Sequence, residues 1–185
     1  MKNIYVGLVH YPILNKFGDV VTTSITNLDI HDISRSCMTF GVKKFFIINP
    51  LKTQEQLFKR ILKFWKSEIA NCYNPDRVTA LSIIEYEHDI ESVIKKINLQ
   101  EEDCLVITTT AANLKAQLSF EDYGKIDKPV LLLFGTGNGL TDEVHKLADH
   151  VLKPIKGIGD YNHLSVRSAA AIVLNRLTSD KIKEE

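Results

Sequence analysis

The sequence predicts an α/β fold with a mainly parallel β-sheet and helices on both faces. Six short apolar runs, rich in branched or aromatic residues and bounded by turn formers, have the character of buried strands. Helical stretches separate these runs, and strands that alternate with helices form parallel sheets. With 185 residues, 44% of them hydrophobic, the chain can fill one core, so we expect a single domain over residues 1–185.

The predicted elements follow one another along the whole chain. The clearest helix covers 53–70, where Thr53 and Gln56 would form a capping box. Its buried face would hold Phe58, Ile61, Leu62, Trp65 and Ile69. The predicted strands, in order, are IYVGLV (4–9), KKFFII (43–48), SIIEY (82–86), DCLVIT (103–108), PVLLLF (129–134) and VLKPI (151–155).

Composition limits the partners that the chain can have. Lys plus Arg and Asp plus Glu number 23 each, so a nucleic acid would have to be held by a local basic patch. Cys37, Cys72 and Cys104 lack metal-ligand spacing, which predicts reduced thiols and no metal site. Because no run of 18 apolar residues and no leader pattern occurs, we expect a cytoplasmic protein without a membrane span.

The segment KPVLLLFGTGNGLTDEV at 128–144 predicts a glycine-rich loop between a strand and a helix. Its G-x-G-x-G spacing differs from the G-x-G-x-x-G fingerprint of dinucleotide folds. Thr141 can cap the next helix, and Asp142 with Glu143 in the first turn would repel a pyrophosphate. The loop therefore suits a neutral or zwitterionic ligand, although a tight turn without a ligand explains it equally well.

A second polar loop lies in GIGDYNHLSVRSAAAIVL at 157–174. Four polar residues precede or open a helix that begins with small residues, Ala169 to Ala171. They are Asn162, His163, Ser165 and Arg167. Polar groups beside helix residues with small side chains indicate a site where the backbone comes close to another surface. Asn162 and His163 could also serve only to satisfy loop backbone. Together the two loops predict one composite pocket.

Three segments resemble the motifs of the SPOUT superfamily, the trefoil-knotted methyltransferases that use S-adenosyl-L-methionine (SAM) and mostly modify RNA. FGTGNGLTDEV and HLSVRSAAAI, separated by a short strand, are similar to its last two motifs. NLDIHDISRSCMTFGV at 27–42 is similar to its first motif, with Arg35 on the motif arginine and FGV at 40–42 on the motif's ending. The similarity is strongest to a small bacterial branch of RNA methyltransferases.

This resemblance implies a deep C-terminal trefoil knot and a SAM pocket at about 128–175, in a homodimer that acts on tRNA or rRNA. The implied reaction is methylation of a ribose 2′-hydroxyl. Alternatives are methylation of a base nitrogen, as in the guanine-N1 branch where an acidic group acts, and a catalytically silent module that binds SAM or RNA. The matching positions for SAM are Leu133, Phe134, Gly135, Thr136, Gly137, Asn138, Gly139, Leu140, Ile155, Gly157, Ile158, Leu164, Ser165, Val166 and Ala169.

The candidate catalytic residues come from the first and last motifs. Helical periodicity predicts a buried stripe in the first-motif helix and leaves His31, Asp32 and Arg35 together on its other face, where they could orient a phosphate and a hydroxyl. The last motif adds Asn162, His163 and Arg167. The chain departs from the family pattern at Asp29, where asparagine is usual. The predicted stripe consists of Ile30, Ile33, Cys37 and Phe40.

Two further polar regions have both a functional and an ordinary interpretation. One region is a basic stripe of Lys59, Lys63 and Lys66, with Arg60 beside them. It could bind phosphates or form the solvated face of an amphipathic helix, and we expect the solvated face. The stretch from Lys16 to Thr26 could contact RNA or solvate a turn.

Overall fold

The computed structural model describes residues 2–159 and 161–179. Its centre is a parallel six-stranded sheet in the order β5-β4-β1-β7-β6-β8, and the remaining two strands pair as an antiparallel hairpin. In chain order the strands are β1 (Ile4–Val9), β2 (Ile13–Leu14), β3 (Val20–Val21), β4 (Lys44–Ile48), β5 (Ile84–Glu87), β6 (Leu105–Thr108), β7 (Val130–Gly135) and β8 (His150–Val151).

Helices connect the strands, and most of them begin at a capping side chain. A Ser, Thr, Asn or Asp side-chain oxygen accepts a hydrogen bond from the backbone N–H three residues further on, as Thr26 and Ser165 do. This bond satisfies an N–H group of the first turn that has no acceptor within the helix. The helices are α1 (Asn27–Thr39), α2 (Lys52–Trp65), α3 (Glu68–Tyr73), α4 (Pro75–Ala80), α5 (Ile90–Asn98), α6 (Phe120–Gly124), α7 (Asp142–Leu147) and α8 (Val166–Thr178).

Alternate residues of the central strands face two hydrophobic cores, which confirms the prediction of helices on both sides of the sheet. In β1, Val6 and Leu8 contribute to the core that also contains buried residues of α1, α2 and α8. Tyr5 and Val9 contribute to the other core, together with residues of α5 and α7. Because both faces are covered, the strands are continuously apolar, as parallel strands usually are.

The six predicted strands form in the predicted order, but two have different limits. VLKPI contributes only Val151 to β8, and Leu152 makes an isolated bridge to Leu118. The start of SIIEY is a 3₁₀ turn, and β5 begins at Ile84.

The predicted helix over 53–70 is wrong at both ends. Its N-cap is Leu51, without a side-chain hydrogen bond, so the capping box at Thr53 does not form. The helix ends at Trp65 because Ser67 starts a new helix, its hydroxyl accepting from the Ala70 N–H. Ile69 therefore leaves the buried face and is 73% exposed.

Within residues 2–159 and 161–179, no helix is long and apolar enough to cross a membrane. Across the same part of the chain, no group of three or more His, Cys, Asp or Glu side chains is arranged to hold a metal ion. The trefoil knot and the single-domain boundary stay predictions.

Candidate functional site

The main cleft lies at the carboxyl ends of the two central strands, β1 and β7, which pair through Val9 and Gly135. From β1 the chain first builds one side of the sheet, through β4 and β5, and later the other side, through β6 and β8. In open α/β sheets, ligands bind where the strand order diverges in this way. The cleft has a volume of about 890 Å³, which is the size of a small-molecule site.

Both predicted loops line this cleft, as the composite-pocket prediction requires. Asn162 and His163, which we predicted as catalytic candidates, also line it. The predicted SAM-binding residues that line it are Phe134, Gly135, Thr136, Gly137, Asn138, Gly139, Ile155, Leu164, Ser165, Val166 and Ala169.

The glycine-rich loop is held against the hairpin strand β2. The Asn138 N–H donates to the Leu14 carbonyl at 2.8 Å, and the Leu14 N–H donates to the Gly139 carbonyl at 2.9 Å. Gly137 has a φ of +57°. A Cβ there would lie 2.7 Å from Ile13 Cδ1. Glycine at 137 is therefore required by its left-handed conformation and by the close approach of β2.

A chain of hydrogen bonds joins the end of β1 to this loop. The Thr136 hydroxyl donates to the Val9 carbonyl at 3.1 Å and lies 2.5 Å from the Thr23 hydroxyl. Since the proton of Thr136 is already used, the Thr23 hydroxyl donates to Thr136. His10 Nδ1, 3.0 Å from Thr23 Oγ1, must then carry the proton and donate. His10 is thus fixed as the Nδ1-protonated tautomer.

His10 is fully buried, and its Nε2 has no hydrogen-bond partner among the described residues. Burial lowers the pKa of His10 to about 4, against a smaller opposing effect from Asp29. The imidazole is therefore neutral at physiological pH. It serves as a hydrogen-bond donor that orients Thr23 and Thr136 at the base of the cleft.

An ion-pair cluster joins α1 and α8 at the cleft. Arg167 Nη1 lies 3.2 Å from Asp29 Oδ1, and Arg167 Nε lies 3.5 Å from Asp32 Oδ2. The Thr26 hydroxyl donates to the other Asp29 oxygen at 2.6 Å. Asp29 and Thr26 line the cleft, whereas Asp32 and Arg167 do not. The cluster therefore fixes one carboxylate, that of Asp29, at the wall of the cleft.

The prediction that His31, Asp32 and Arg35 share one exposed face is wrong for His31. His31 is buried against Trp65 of α2, with ring centroids 5.1 Å apart. Burial, with help from the positive charge of Arg77, lowers its pKa. The periodicity of α1 could not show this, because the covering side chain belongs to a different helix.

Arg35 and Asp32 are both exposed, and they line a shallow depression that is separate from the cleft and also includes Phe40. Phe40 is half-buried, while the other three residues of the predicted stripe are buried. In the single chain, Arg35 is therefore available to an outside group but does not reach the cofactor cleft.

Four of the predicted SAM-binding positions do not line the cleft. Leu133 and Leu140 are buried in the core on the α5 and α7 side of the sheet. For Leu133, which belongs to β7, strand alternation turns the side chain away from the cleft. Ile158 is fully exposed, and Gly157 has its Cβ direction filled by the Tyr161 carbonyl. Resemblance to a motif gives positions along the chain but no information on the direction of a side chain.

Sequence reasoning missed several lining residues that follow strand ends. The carboxyl ends of parallel strands meet at one edge of a sheet, so the TTTAAN stretch that ends β6 could have been assigned to the site. The polar stretch from Lys16 to Thr26 predicts contact with RNA or a solvated turn, whereas its residues Thr23, Ser24 and Thr26 line the cleft. The remaining missed residues are Asp29, Thr109, Thr110, Ala111, Ala112, Leu152, Lys153 and Val173.

The chemistry of the cleft fits SAM. Apolar side chains on one side would contact the adenine ring, and hydroxyl and amide groups would hydrogen bond to its ribose and amino-acid portion. When bound, SAM supplies a methyl group on a positively charged sulfur. The apolar side chains are Phe134, Leu152, Ile155 and Val173, and the polar groups belong to Ser24, Thr110 and Asn138.

Solved structures that share this fold include a tRNA modifying enzyme and a methyltransferase. A TrmH/SpoU tRNA modifying enzyme from A. aeolicus aligns with a TM-score of 0.58 and 16% identity, over 97% of this chain and 76% of that one. AviRb, a SpoU methyltransferase from Streptomyces viridochromogenes in complex with AdoMet, aligns with a TM-score of 0.59 and 15% identity, over 100% and 59%. At these identities the likeness establishes the fold, a SPOUT α/β fold.

Sequence relatives are closer. A tRNA (guanine-N(1)-)-methyltransferase from Oleidesulfovibrio alaskensis is 39% identical over 183 residues, which are 98% of this chain and 43% of the relative. An uncharacterized protein from Aquifex aeolicus is 33% identical over 96% of this chain and 89% of its own length. The chain thus spans less than half of the named relative. Residues 3–179 match the model of a family described as SAM-dependent RNA methyltransferase, and the chain belongs to that family.

Proposed function

We propose that this chain transfers the methyl group of SAM to a ring nitrogen of a tRNA base, with guanine N1 as the leading acceptor. One observation carries the choice of acceptor. Asp29 presents a carboxylate at the wall of the cleft, where most members of the superfamily would have asparagine. A carboxylate can accept the proton that N1 of guanine must lose, whereas an asparagine amide cannot.

The chemistry needs a proton acceptor and a fixed geometry. The Asp29 carboxylate would take the N1–H proton, and the electron pair left on N1 would form the bond to the methyl carbon. SAM would supply that methyl group and leave as the neutral thioether S-adenosylhomocysteine. Arg167 and Thr26 orient the carboxylate through the contacts at 3.2 Å and 2.6 Å. This fixed orientation supplies part of the rate enhancement.

The histidines near the site are weaker candidates for the base. His31 is buried against Trp65 and has a lowered pKa, so it is a poor proton acceptor and is turned away from the cleft. His10 has a pKa of about 4 and donates its one N–H to the Thr23 hydroxyl. A ribose 2′-hydroxyl is much less acidic than guanine N1–H, so it would need a stronger base than either.

The name of the longer relatives agrees with a tRNA guanine acceptor. Two curated relatives, at 39% and 38% identity, carry the name tRNA (guanine-N(1)-)-methyltransferase. The chain matches 43% of each, so the name describes proteins with a large additional region. For this reason Asp29, rather than the name, carries the proposal.

Ribose 2′-O-methylation is the second candidate, and Arg35 favours it. The side chain is exposed on α1 beside Asp32, so it is available to orient an RNA phosphate. In a homodimer, Arg35 of one chain could complete the cleft of the other.

The test is methyl transfer from labelled SAM to tRNA from cells that lack this protein, followed by digestion to nucleosides and mass spectrometry. We expect 1-methylguanosine. A 2′-O-methylated nucleoside would establish the second candidate and overturn the first. Absence of transfer, with SAM bound, would indicate a catalytically silent module.

Two variants of the ion-pair cluster separate catalysis from structure. Asp29→Asn removes the proton acceptor, and we expect turnover to fall on the order of a hundredfold or more. Asp32→Asn is the matched control, since Asp32 contacts the same arginine from outside the cleft, and turnover should stay within a few-fold. Equal losses in both variants would show that the cluster only supports the fold.

A further inference from the structure

Basic side chains follow one exposed face of α2. Four lysines fall within an arc of roughly 60° when each residue turns the helix by about 100°. They are Lys52, Lys59 and Lys63 of α2 and Lys66 at its C-cap. Arg60 lies next to this arc. All five are exposed. We call these five residues the α2 basic face.

The positive charge of this face is largely uncompensated. Between 52 and 66 the sequence has these five cations and one carboxylate, Glu55, although the chain as a whole is neutral. Lys59 pairs with Glu55. No ion pair within the described ranges involves Arg60, Lys63 or Lys66. A neutral protein that binds a polyanion needs such a local patch.

The α2 basic face begins beside the cleft. Gln54, in the first turn of α2, accepts a hydrogen bond from the Ile25 N–H at 2.8 Å. Ile25 lies between Ser24 and Thr26, which both line the cleft. With a rise of 1.5 Å per residue, the 14-residue helix extends about 21 Å from this rim. A chain-like ligand could therefore follow the helix and enter the cleft.

Apolar side chains flank the cations. Leu57 and Phe64 are 40% and 51% exposed, and they lie about one helical turn before and after Arg60. Aromatic side chains next to cations suit nucleic acids, because bases stack on rings while phosphates contact the cations. An acidic protein would use the charge but would not require the exposed ring.

We propose that the α2 basic face binds the phosphate backbone of the RNA substrate and leads the target nucleotide to the cleft. This inference rests on the proposed function, since it takes RNA as the substrate. Lysines that neutralise phosphates release bound counterions, so the affinity should fall steeply with salt concentration. The contribution should not depend on the sequence of the RNA.

The test compares two charge-reversed pairs by fluorescence anisotropy with labelled bulk tRNA over a salt series. The first pair, Lys63→Glu with Lys66→Glu, reverses two charges of the α2 basic face. Lys95→Glu with Lys146→Glu makes the same change in net charge on α5 and α7, which pack on the opposite face of the sheet. We expect the α2 pair to bind at least tenfold more weakly, with a salt dependence smaller by about two in the log–log slope. The control pair should bind within about twofold of the wild type.

The possible failures are distinguishable. If the wild type does not bind tRNA at any salt concentration, the proposed function fails. If the wild type binds and the two pairs behave alike, tRNA binding stands and the assignment to α2 is overturned. Affinity for S-adenosylhomocysteine checks that each variant is folded. If the α2 pair loses affinity for S-adenosylhomocysteine, it is replaced in the test by Lys63→Gln with Lys66→Gln. The salt dependence of tRNA binding by this second pair then decides whether the α2 basic face binds RNA.

Discussion

At the scale of single residues, the site depends on polar atoms whose hydrogen bonds have only one consistent direction. The donors run from His10 Nδ1 through Thr23 and Thr136 to the Val9 carbonyl. The apolar strand patterns that identify the fold contain no information on this chain of bonds. His10 follows β1 directly, and only the fold brings it within reach of Thr23 and Thr136.

The buried histidine should make stability depend on pH. His10 has a pKa of about 4 in the folded protein and about 6.5 when unfolded. The folded state therefore binds fewer protons, and stability present above pH 6.5 is lost as the pH falls towards 4. At pH 5 the loss from this group is about 2 kcal/mol.

Urea unfolding at pH 7 and pH 5 measures the effect. His10→Asn keeps a donor near the position of Nδ1 but cannot be protonated, so its stability should fall less between the two pH values than that of the wild type. His10→Leu removes the donor and should also weaken the binding of S-adenosylhomocysteine. Identical pH dependence in wild type and His10→Asn would contradict the assignment.

Gly137 is a second residue-scale test. Its φ of +57°, together with the 2.7 Å that would separate an added Cβ from Ile13 Cδ1, predicts strain of about 1–3 kcal/mol for Gly137→Ala. The loop should shift and bind S-adenosylhomocysteine at least tenfold more weakly, measured by calorimetry. Gly159→Ala is the control, because a Cβ at 159 meets nothing within 4 Å. Equal affinities for the two variants would show that the loop tolerates a side chain at 137.

At the scale of elements, the sequence identifies strands and helices that have a repeating apolar pattern. It misses elements that are too short to show such a pattern. Five of the six sheet strands largely coincide with the predicted apolar runs, β8 shares only Val151 with its run, and Thr141 caps α7 as predicted. The hairpin β2–β3 has two residues per strand, too few for a periodic pattern, yet it holds the glycine-rich loop. Likewise, His31 looked exposed because Trp65 comes from another helix.

The small residues of α8 permit its close approach to α1. Ala170 is fully buried in the hydrophobic core to which α1 and α8 both contribute. Ala170→Leu should overpack this contact and lower the free energy of unfolding by about 1–3 kcal/mol, measured by urea denaturation. Asn175→Leu places the same side chain on an exposed position of α8 and should change stability by less than about 0.5 kcal/mol. A stable Ala170→Leu variant would show that α8 packs loosely.

At the scale of the whole molecule, the separation of Arg35 from the cleft leads to a prediction about assembly. Exposed Leu28 on α1 and Leu164 at the cleft, 60% and 47% exposed, are apolar surfaces that a second copy could cover. We expect a homodimer by light scattering at micromolar concentration. A monomer at that concentration would contradict this expectation.

If Arg35 completes the cleft of the partner chain, Arg35→Ala and Asp29→Asn should each lower methyl transfer, and the two variants should complement each other. In every mixed dimer of Arg35→Ala and Asp29→Asn chains, one of the two sites combines an intact Asp29 with an intact Arg35 of the partner chain. Methyl transfer to tRNA should then exceed that of either variant alone. No recovery, with mixed dimers present, would place the function of Arg35 within its own chain.

The central claim is that the cleft at the ends of β1 and β7 is a SAM site, and calorimetry of the wild-type chain tests it most directly. Because Asp142 and Glu143 occupy the first turn after the glycine-rich loop, a dinucleotide pyrophosphate would be repelled. We predict that S-adenosylhomocysteine binds with one site per chain and that NAD does not bind. Micromolar binding of NAD, without heat from S-adenosylhomocysteine, would contradict the account.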